Sequence, residues 1–408
     1  MSTLKVNTIQ DTTGDTALTF DSSGNTTISK KLSSVNGNGF PSAGALSHRN
    51  LIINGAMQVA QRGTSSTDAS FATVDRWENI STGTDEAQTQ AQITLTSSDT
   101  GPWAKGFRNA YQITNGNQTS GAGAGDYSWV AQPIEAQNLA NSGWDYTSAS
   151  SYITLSFWVK SSVAQNFYGR LQTVDGTVQN YTFETGSLSA NTWTKVTKII
   201  PGHANNTINN DNGKGLEIEL SMLRGTDYTH SVTLNQWAAY ATDTRHPDST
   251  VTWNNTNDAV FMLTGVQLEV AAAATEYEFV PWEKELLRCQ RYYYHIPTAT
   301  HPGGTAGIGN GHHFGLGFCP STSIGRIHIQ PPVPMRADPA SLEWSGTQGD
   351  YVVGNQSAET QCNGNLSFSS QQAWNSRVNF PASSLTAGEA VQGMAYNSSA
   401  FLGFEAEL

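Results

Sequence analysis

Charge is scarce in this chain. Asp, Glu, Lys and Arg make up 13% of its 408 residues, about half the fraction usual in globular domains. Helix-rich proteins carry more Lys, Glu and Leu, so the shortage argues for strands and polar turns. The charge that is present is acidic, a formal net −12, with no run of Lys or Arg. That excludes the electrostatic footprint of a non-specific nucleic-acid binder. An anionic surface polymer as target would need a local basic patch or a bridging divalent cation. Cysteine is rare too: Cys289, Cys319 and Cys362 are odd in number, far apart and never in C-x-x-C. They read as unpaired, mostly buried thiols made in a reducing cytoplasm. No run reaches the ~20 apolar residues of a membrane helix. No apolar core follows Met1, so no secretory leader is expected.

Catalytic strings are also missing. G-x-S-x-G, H-E-x-x-H and P-loop patterns do not occur. The carboxylates Asp75, Glu78, Glu217, Glu219, Asp258 and Glu269 are scattered. A glycosidase needs only two carboxyl groups ~5–9.5 Å apart, but no motif favours one, and the expectation is a protein that is not an enzyme.

What the chain has is glycine, serine, threonine, asparagine and aromatics, with 11 Trp and 14 Tyr. Aromatics at this density fill β cores, stack on sugars or anchor interfaces. The organising stretch is Thr264 to Pro297. It starts as a strand, with Val266, Leu268 and Val270 alternating with Gln267 and Glu269. It turns helical after Pro281, which suits a helix's first turn, and leaves as a strand through Arg291 to Ile296. This joint separates two β regions. Before it, strand patterns fall at Ala91–Leu95, Asn109–Ile113, Tyr127–Pro133, Tyr152–Ser161, Asn166–Thr173, Tyr181–Phe183, Trp193–Ile200, Gly215–Leu223 and Ala259–Val270. Turn pairs such as Asn115-Gly116 and Asp175-Gly176 separate most of them. Short strands at this spacing indicate a two-sheet sandwich or jelly roll.

The expected division is 1–35 as N-terminal fibre strands, 36–48 as a Gly/Ser/Asn-rich linker, 49–280 as a jelly roll, 281–290 as the helical joint and 291–408 as a C-terminal β tip. The N-terminal strands are too short to close a core in one copy. They gain stability only from copies of themselves or from a partner's sheet edge.

Several strings resemble a known family. Asn50 to Ser65 reads NLIINGAMQVAQRGTS and is followed by Asp75-Arg76-Trp77. Gly265 to Glu269 reads GVQLE, and Glu285 to Tyr293 reads ELLRCQRYY. These are similar to the opening and the exit of a module in bacteriophage tail fibres. Ser2 to Asp11, STLKVNTIQD, resembles the start of fibre proteins of marine tailed phages. Pro332 to Pro339 resembles the P-V-x-M-R-x-x-P pattern of fibre tip domains. The resemblance implies an all-β homotrimeric fibre with a jelly roll like a carbohydrate-binding module. It further implies an N-terminus docked on the phage tail or an adaptor protein, and distal domains that meet a host surface glycan or outer-membrane receptor. Such a protein is part of the virion and is assembled in the host cytoplasm. A polysaccharide-degrading tailspike and a purely structural appendage are the alternatives.

For sugar binding, a ring's C–H face packs on an indole or phenol while Asn, Asp and Arg bond its hydroxyls. In the tip, Trp344, Tyr351, Trp374 and Tyr396 lie beside Ser/Gly/Asn/Gln stretches, with Asn375, Arg377, His312 and His313 as further ligand-binding candidates. That composition resembles an adaptable paratope. In the jelly roll, Trp103, Trp129, Trp144 and Trp237 lie near polar or Gly-rich turns, whereas Trp158 and Trp193 read as core. His301, His312, His313 and His328 fall in one region of the tip, where three copies of an inward His would suit a transition metal. A structural Ca²⁺ at Asp75, Asp258 and Glu269, on the segments of the resemblance, is the alternative.

Overall fold

The computed structural model describes residues 7–10, 13–14, 16–20, 26–28, 34–35, 38–39, 48–297, 313–355 and 358–408. Among the described residues the architecture is all-β, with two short α-helices. At the N-terminus Thr8–Gln10, Thr16–Phe20 and Thr26–Ile28 form a three-stranded antiparallel meander, and Ser34–Val35 pairs with Asn38–Gly39.

Residues 48–280 build a sandwich of two six-stranded antiparallel sheets. One runs, edge to edge, Trp237–Ala239, Gln179–Leu188, Gln165–Thr173, Lys214–Arg224, Tyr127–Glu135 and Glu78–Thr82. The other runs Thr194–Pro201, Tyr152–Ser161, Val260–Glu269, Asn109–Thr114, Thr89–Thr94 and Ser65–Ser66. Between them lies one core that includes Phe157, Phe167, Leu171, Phe183, Leu216, Ile218, Leu220, Phe261 and Leu268. Alternation selects the inward set, as a period-two pleat requires. The Val260–Glu269 strand breaks its own alternation. Phe261 and Leu263 point inward, and so do Val266 and Leu268. The parity changes at Gly265, which sits at φ +62 where the ladder to Ser156 and Trp158 slips. A Cβ there would meet the Phe107 ring at 2.6 Å. Glycine thus supplies both the left-handed backbone and the room, and the bulge keeps a ten-residue central strand on the core.

The centre of the first sheet is buried on both faces. On the Lys214–Arg224 strand the outward residues Glu217, Glu219 and Ser221 are as enclosed as the inward ones. Register sets Arg170 directly opposite Glu219. Glu219 accepts from Arg170 Nη2 at 2.7 Å and from Arg224 Nη2 at 2.6 Å, and the Arg224 guanidinium lies 3.8 Å from the Trp129 ring centroid. The 225–248 segment closes over this face. Thr182 Oγ1 donates to Arg245 O at 2.8 Å, Asn235 N donates to Thr182 O at 2.7 Å, and the His246 ring stacks on Tyr168 at 5.1 Å.

The joint is the helix Trp282–Gln290, with Glu283 and Glu285 in its first turn and Arg288 in its last, the arrangement the helix dipole favours. It delivers Tyr293–Pro297 to a three-stranded sheet in the order Tyr293–Pro297, Phe401–Glu405, Ser341–Trp344. Behind it stands a seven-stranded sheet: Glu359–Gln361, Tyr351–Gly354, Ala390–Ala395, His313–Ser321, Ile324–Ile329, Ser376–Pro381 and Ser367–Ser370. Phe314, Ile327, Tyr351, Val378, Phe380, Leu402 and Phe404 form the tip core between the two sheets. All three cysteines are free and buried.

The tip is clamped to the jelly roll. Arg76 pairs with Glu407, donates to Pro133 O at 2.7 Å and lies 3.6 Å from the Tyr292 ring centroid. Arg291 forks onto Glu135 at 2.5 and 3.0 Å, and Tyr292 OH donates to the same carboxylate at 2.7 Å. Tyr292 and Tyr293 are both buried within the chain.

Removing the shared acceptor of the roofed sheet should be costly. Glu219→Gln leaves two buried guanidinium groups short of their counter-charge, and denaturant unfolding should show a loss of roughly 3–5 kcal/mol. A change under 1 kcal/mol would mean that water reaches this face.

Candidate recognition surfaces

Among the described residues of the tip, the outer face of the seven-stranded sheet carries exposed Leu316 and Phe318. Cross-strand register lines up Gly354, Gln392, Leu316, His328 and Arg377 across five strands. The next row holds Ala390, Phe318, Arg326 and Asn379. Directly opposed residues share a face, so Leu316 and Phe318 stand on the central strand within a border of His328, Arg326, Arg377, Asn379 and Gln392. Leu316 is 68% exposed. Beside it runs a groove of about 490 Å³ that reaches His313, Asn355, Glu359 and Gln392. Gly317 lets the neighbouring strand approach, since a Cβ there would meet Arg326 O at 1.8 Å.

Trp374 and Asn375 sit just before the Ser376–Pro381 strand, both exposed, with Trp374 at 69%. Ala373, beside the indole, is fixed by two backbone bonds, to Asp338 Oδ1 and from Met335 N, each 2.9 Å. Tyr396, 46% exposed, follows the Ala390–Ala395 strand. His313 opposes Met394. Trp374, Asn375, His313 and Tyr396 thus gather at one end of the sheet, with Arg377 on its outer face. Trp374 and Tyr396 lie three strands apart, about 14 Å at ~4.8 Å per strand. They border one face but do not form one pocket. His301 and His312 lie outside the described residues.

The remaining aromatic candidates are structural. Tyr351 is fully buried: its OH donates to Phe401 O at 2.8 Å, and Trp344 packs on it edge-on. Trp144 and Trp237 are core residues whose indole N–H groups bond Ser151 O and Pro201 O. Trp129 lies under Arg224, and Trp103 is half-buried with Arg108 over its ring at 3.8 Å. Proximity to polar turns misleads here because those turns fold back over the indoles.

The three proposed calcium ligands do not fit one site. Asp75 is buried and accepts from Gln61 N and Nε2. Glu269 is buried against Arg49 and Thr275. Asp258 is exposed on a turn at φ 55. Among the described residues no cluster of three or more His, Cys, Asp or Glu side chains is placed to hold a metal.

Two carboxyls near the domain junction are perturbed. Burial raises Asp75 to about 6 against the hydrogen bonds from Gln61. Burial, helped by the Glu217 charge, raises Glu78 to about 7. Glu219 moves the other way: burial alone would raise it, but Arg170 and Arg224 hold it at about 2.

No protein-family model and no curated protein sequence matches the chain. Solved structures show distant likenesses. The enzymatically active domain of tailspike protein 4 from bacteriophage CBA120 aligns at 12% identity and TM-score 0.31, over 54% of this chain and 21% of that one. A putative sugar binding protein from Bacteroides thetaiotaomicron aligns at 12% and 0.29, over 54% and 100%. A xylan-binding domain from Paenibacillus barcinonensis aligns at 11% and 0.26, over 56% and 99%. This chain therefore spans about a fifth of the tailspike domain. None of these likenesses is close enough to transfer a ligand or a reaction.

The perturbed carboxyls give a pH signature. A carboxyl whose folded pKa is raised binds its proton more tightly when folded, so its effect is to lower stability as pH rises from 4.5 to about 7. Glu219 acts oppositely: its contribution is complete above 4.5 and lost as pH falls towards 2. Glu78→Gln, which mimics the protonated form, should raise stability at pH 8 by on the order of 2 kcal/mol and leave it unchanged at pH 4. Melting curves at the two pH values check this, and an equal change at both would assign the effect to packing.

Proposed function

We propose that this chain is a phage tail fibre protein that binds a host cell-surface glycan or outer-membrane receptor through its C-terminal tip. In this reading it acts as a homotrimer and docks on the tail or an adaptor through its N-terminal strands. The observation that carries the reading is the tip's surface. Among the described residues the two most exposed large apolar side chains, Leu316 and Trp374, both belong to the tip. They stand beside Arg377, His328 and Asn375 rather than alone. An indole left in water beside hydrogen-bonding groups is suited to a sugar face or a receptor's apolar anchor. The sequence strings shared with tail fibres point the same way. Weak sites repeated on three chains and on several fibres add up to avidity, so no single pocket has to be deep.

The reading is of a binder rather than a depolymerase. Glu78 has the raised pKa of a general acid and a carboxylate neighbour in Glu217. Burial of Glu217 and Glu219 supports the binder reading. Release of reducing sugar from host polysaccharide would overturn this part.

Trp374→Ala should reduce adsorption to host cells. Loss of an anchoring indole costs about 2 kcal/mol per site, ~30-fold in single-site affinity, while the exposed position predicts a melting point within about 1 °C of wild type. Adsorption at the wild-type level by the folded variant would remove Trp374 from the recognition surface.

A further inference from the structure

A cleft of about 540 Å³ lies between the jelly roll and the tip, at the side of the clamp. Its volume falls in the range of small-ligand sites. The jelly roll contributes the 62–72 segment; the tip contributes Tyr293, His295, Glu343, Phe401 and Glu405. None of these residues belongs to the tip surface described above.

The lining combines three kinds of group. Phe71 and Phe401 are apolar walls, the latter meeting His295 edge-on at 5.2 Å. Asp68, Glu343 and Glu405 are acceptors. The last two keep 35% and 34% of their side chains exposed, and Glu343 takes only the Tyr293 hydroxyl, at 2.7 Å, as a hydrogen bond. Arg62 is the donor. Its side chain is 8% exposed, and its Cζ lies 3.4 Å from the Tyr293 ring centroid. Its Nη2 makes no hydrogen bond, the Glu405 oxygen lying 4.0 Å away. His295 completes the set. Its Nδ1 faces the Gln61 carbonyl at 2.5 Å, so Nδ1 carries the proton and donates. Burial keeps the ring neutral by lowering its pKa. Its Nε2 is then a buried acceptor with no partner.

We propose that this cleft binds an uncharged sugar unit, with Arg62 donating to a ring or hydroxyl oxygen, Glu343, Glu405 and Asp68 accepting from hydroxyls, and Phe401 packing on a C–H face. Three carboxylates against one guanidinium repel uronic and other acidic sugars. A buried donor and a buried acceptor without partners are the costly state that a hydroxyl, both donor and acceptor, relieves. The ligand class rests on the carbohydrate reading of this protein, but the site does not depend on Trp374.

The test uses the full-length chain and saturation-transfer NMR with methyl glycosides of glucose, galactose, mannose and N-acetylglucosamine, and with glucuronic acid. At least one neutral glycoside should show saturation transfer, with glucuronic acid silent. Ala69→Trp, which fills the cleft from an exposed loop position, and Asp68→Asn, on the same turn, should each weaken that response at least tenfold. Trp374→Ala should leave it unchanged. The proposal is overturned if no neutral glycoside responds, if glucuronic acid responds as strongly, or if either cleft variant keeps the wild-type response with native melting. Loss in Trp374→Ala with retention in Ala69→Trp would place the sugar on the tip and remove it from the cleft. Normal adsorption by both cleft variants together with a lost NMR response would support the cleft and leave the tip reading standing.

Discussion

Arg76 is the residue on which the two halves of this molecule depend. Its guanidinium is fully buried, lies against Tyr292, reaches Pro133 O and meets Glu407, next to Leu408. Burying a guanidinium is costly, and its carboxylate offsets that cost only when both are in place. The pair therefore contributes less net stability than conditional stability: the jelly roll's Arg76 is satisfied only when the tip has folded and docked. The backbone bears this out. Arg76 sits at φ 71, a conformation costing of order 1 kcal/mol or more for a non-glycine residue, and the surrounding contacts over-determine it. Glu135 repeats the logic from the other side, holding Arg291 and the Tyr292 hydroxyl.

This constraint settles what the rest of the surface can do. Because the tip is locked rather than hinged, the groove beside it keeps a fixed width and Arg62 keeps its place over Tyr293. The jelly roll has spent its own outer sheet face on an Arg–Glu–Arg network and a covering segment. In the proposed reading, ligand contact falls to its junction and to the tip. In that reading the sandwich serves chiefly as a mount for the exposed rows of the seven-stranded sheet.

Most of the architecture was legible as pattern. All nine strands expected between residues 91 and 270 are present, and turn signals bounded most of them. Those that escaped notice are short or uninformative. Trp237–Ala239 has three residues, and Glu78–Thr82 has little apolar content. The joint read as strand, helix and strand and folds so. Side-chain exposure was far less legible. Trp374 and Tyr351 occupy similar sequence surroundings, yet one is in water and the other at the centre of the tip core. The difference lies in register: Tyr351 opposes Ala395 within the sheet, whereas Trp374 precedes its strand. Contacts such as Arg62 with Glu343 or Arg76 with Glu407 join residues hundreds of positions apart, and no local pattern carries them.

The acidic balance of the chain acquires a structural meaning from this distribution. Arg62, Arg76, Arg170, Arg224 and Arg291 are all held by carboxylates at buried or half-buried positions. With so few basic residues in total, cations committed to internal pairs leave the surface dominated by Asp and Glu. On such a surface Arg377 and Arg326, beside Leu316 on the tip's outer face, are a local exception. Long-range attraction cannot then guide this protein to an anionic cell surface; screening in ~0.15 M salt confines these charges to about 8 Å in any case. On the proposed reading, recognition is then made at contact, by apolar and hydrogen-bonding groups. That favours many weak contacts presented rigidly, which is what a locked tip on a sandwich mount provides.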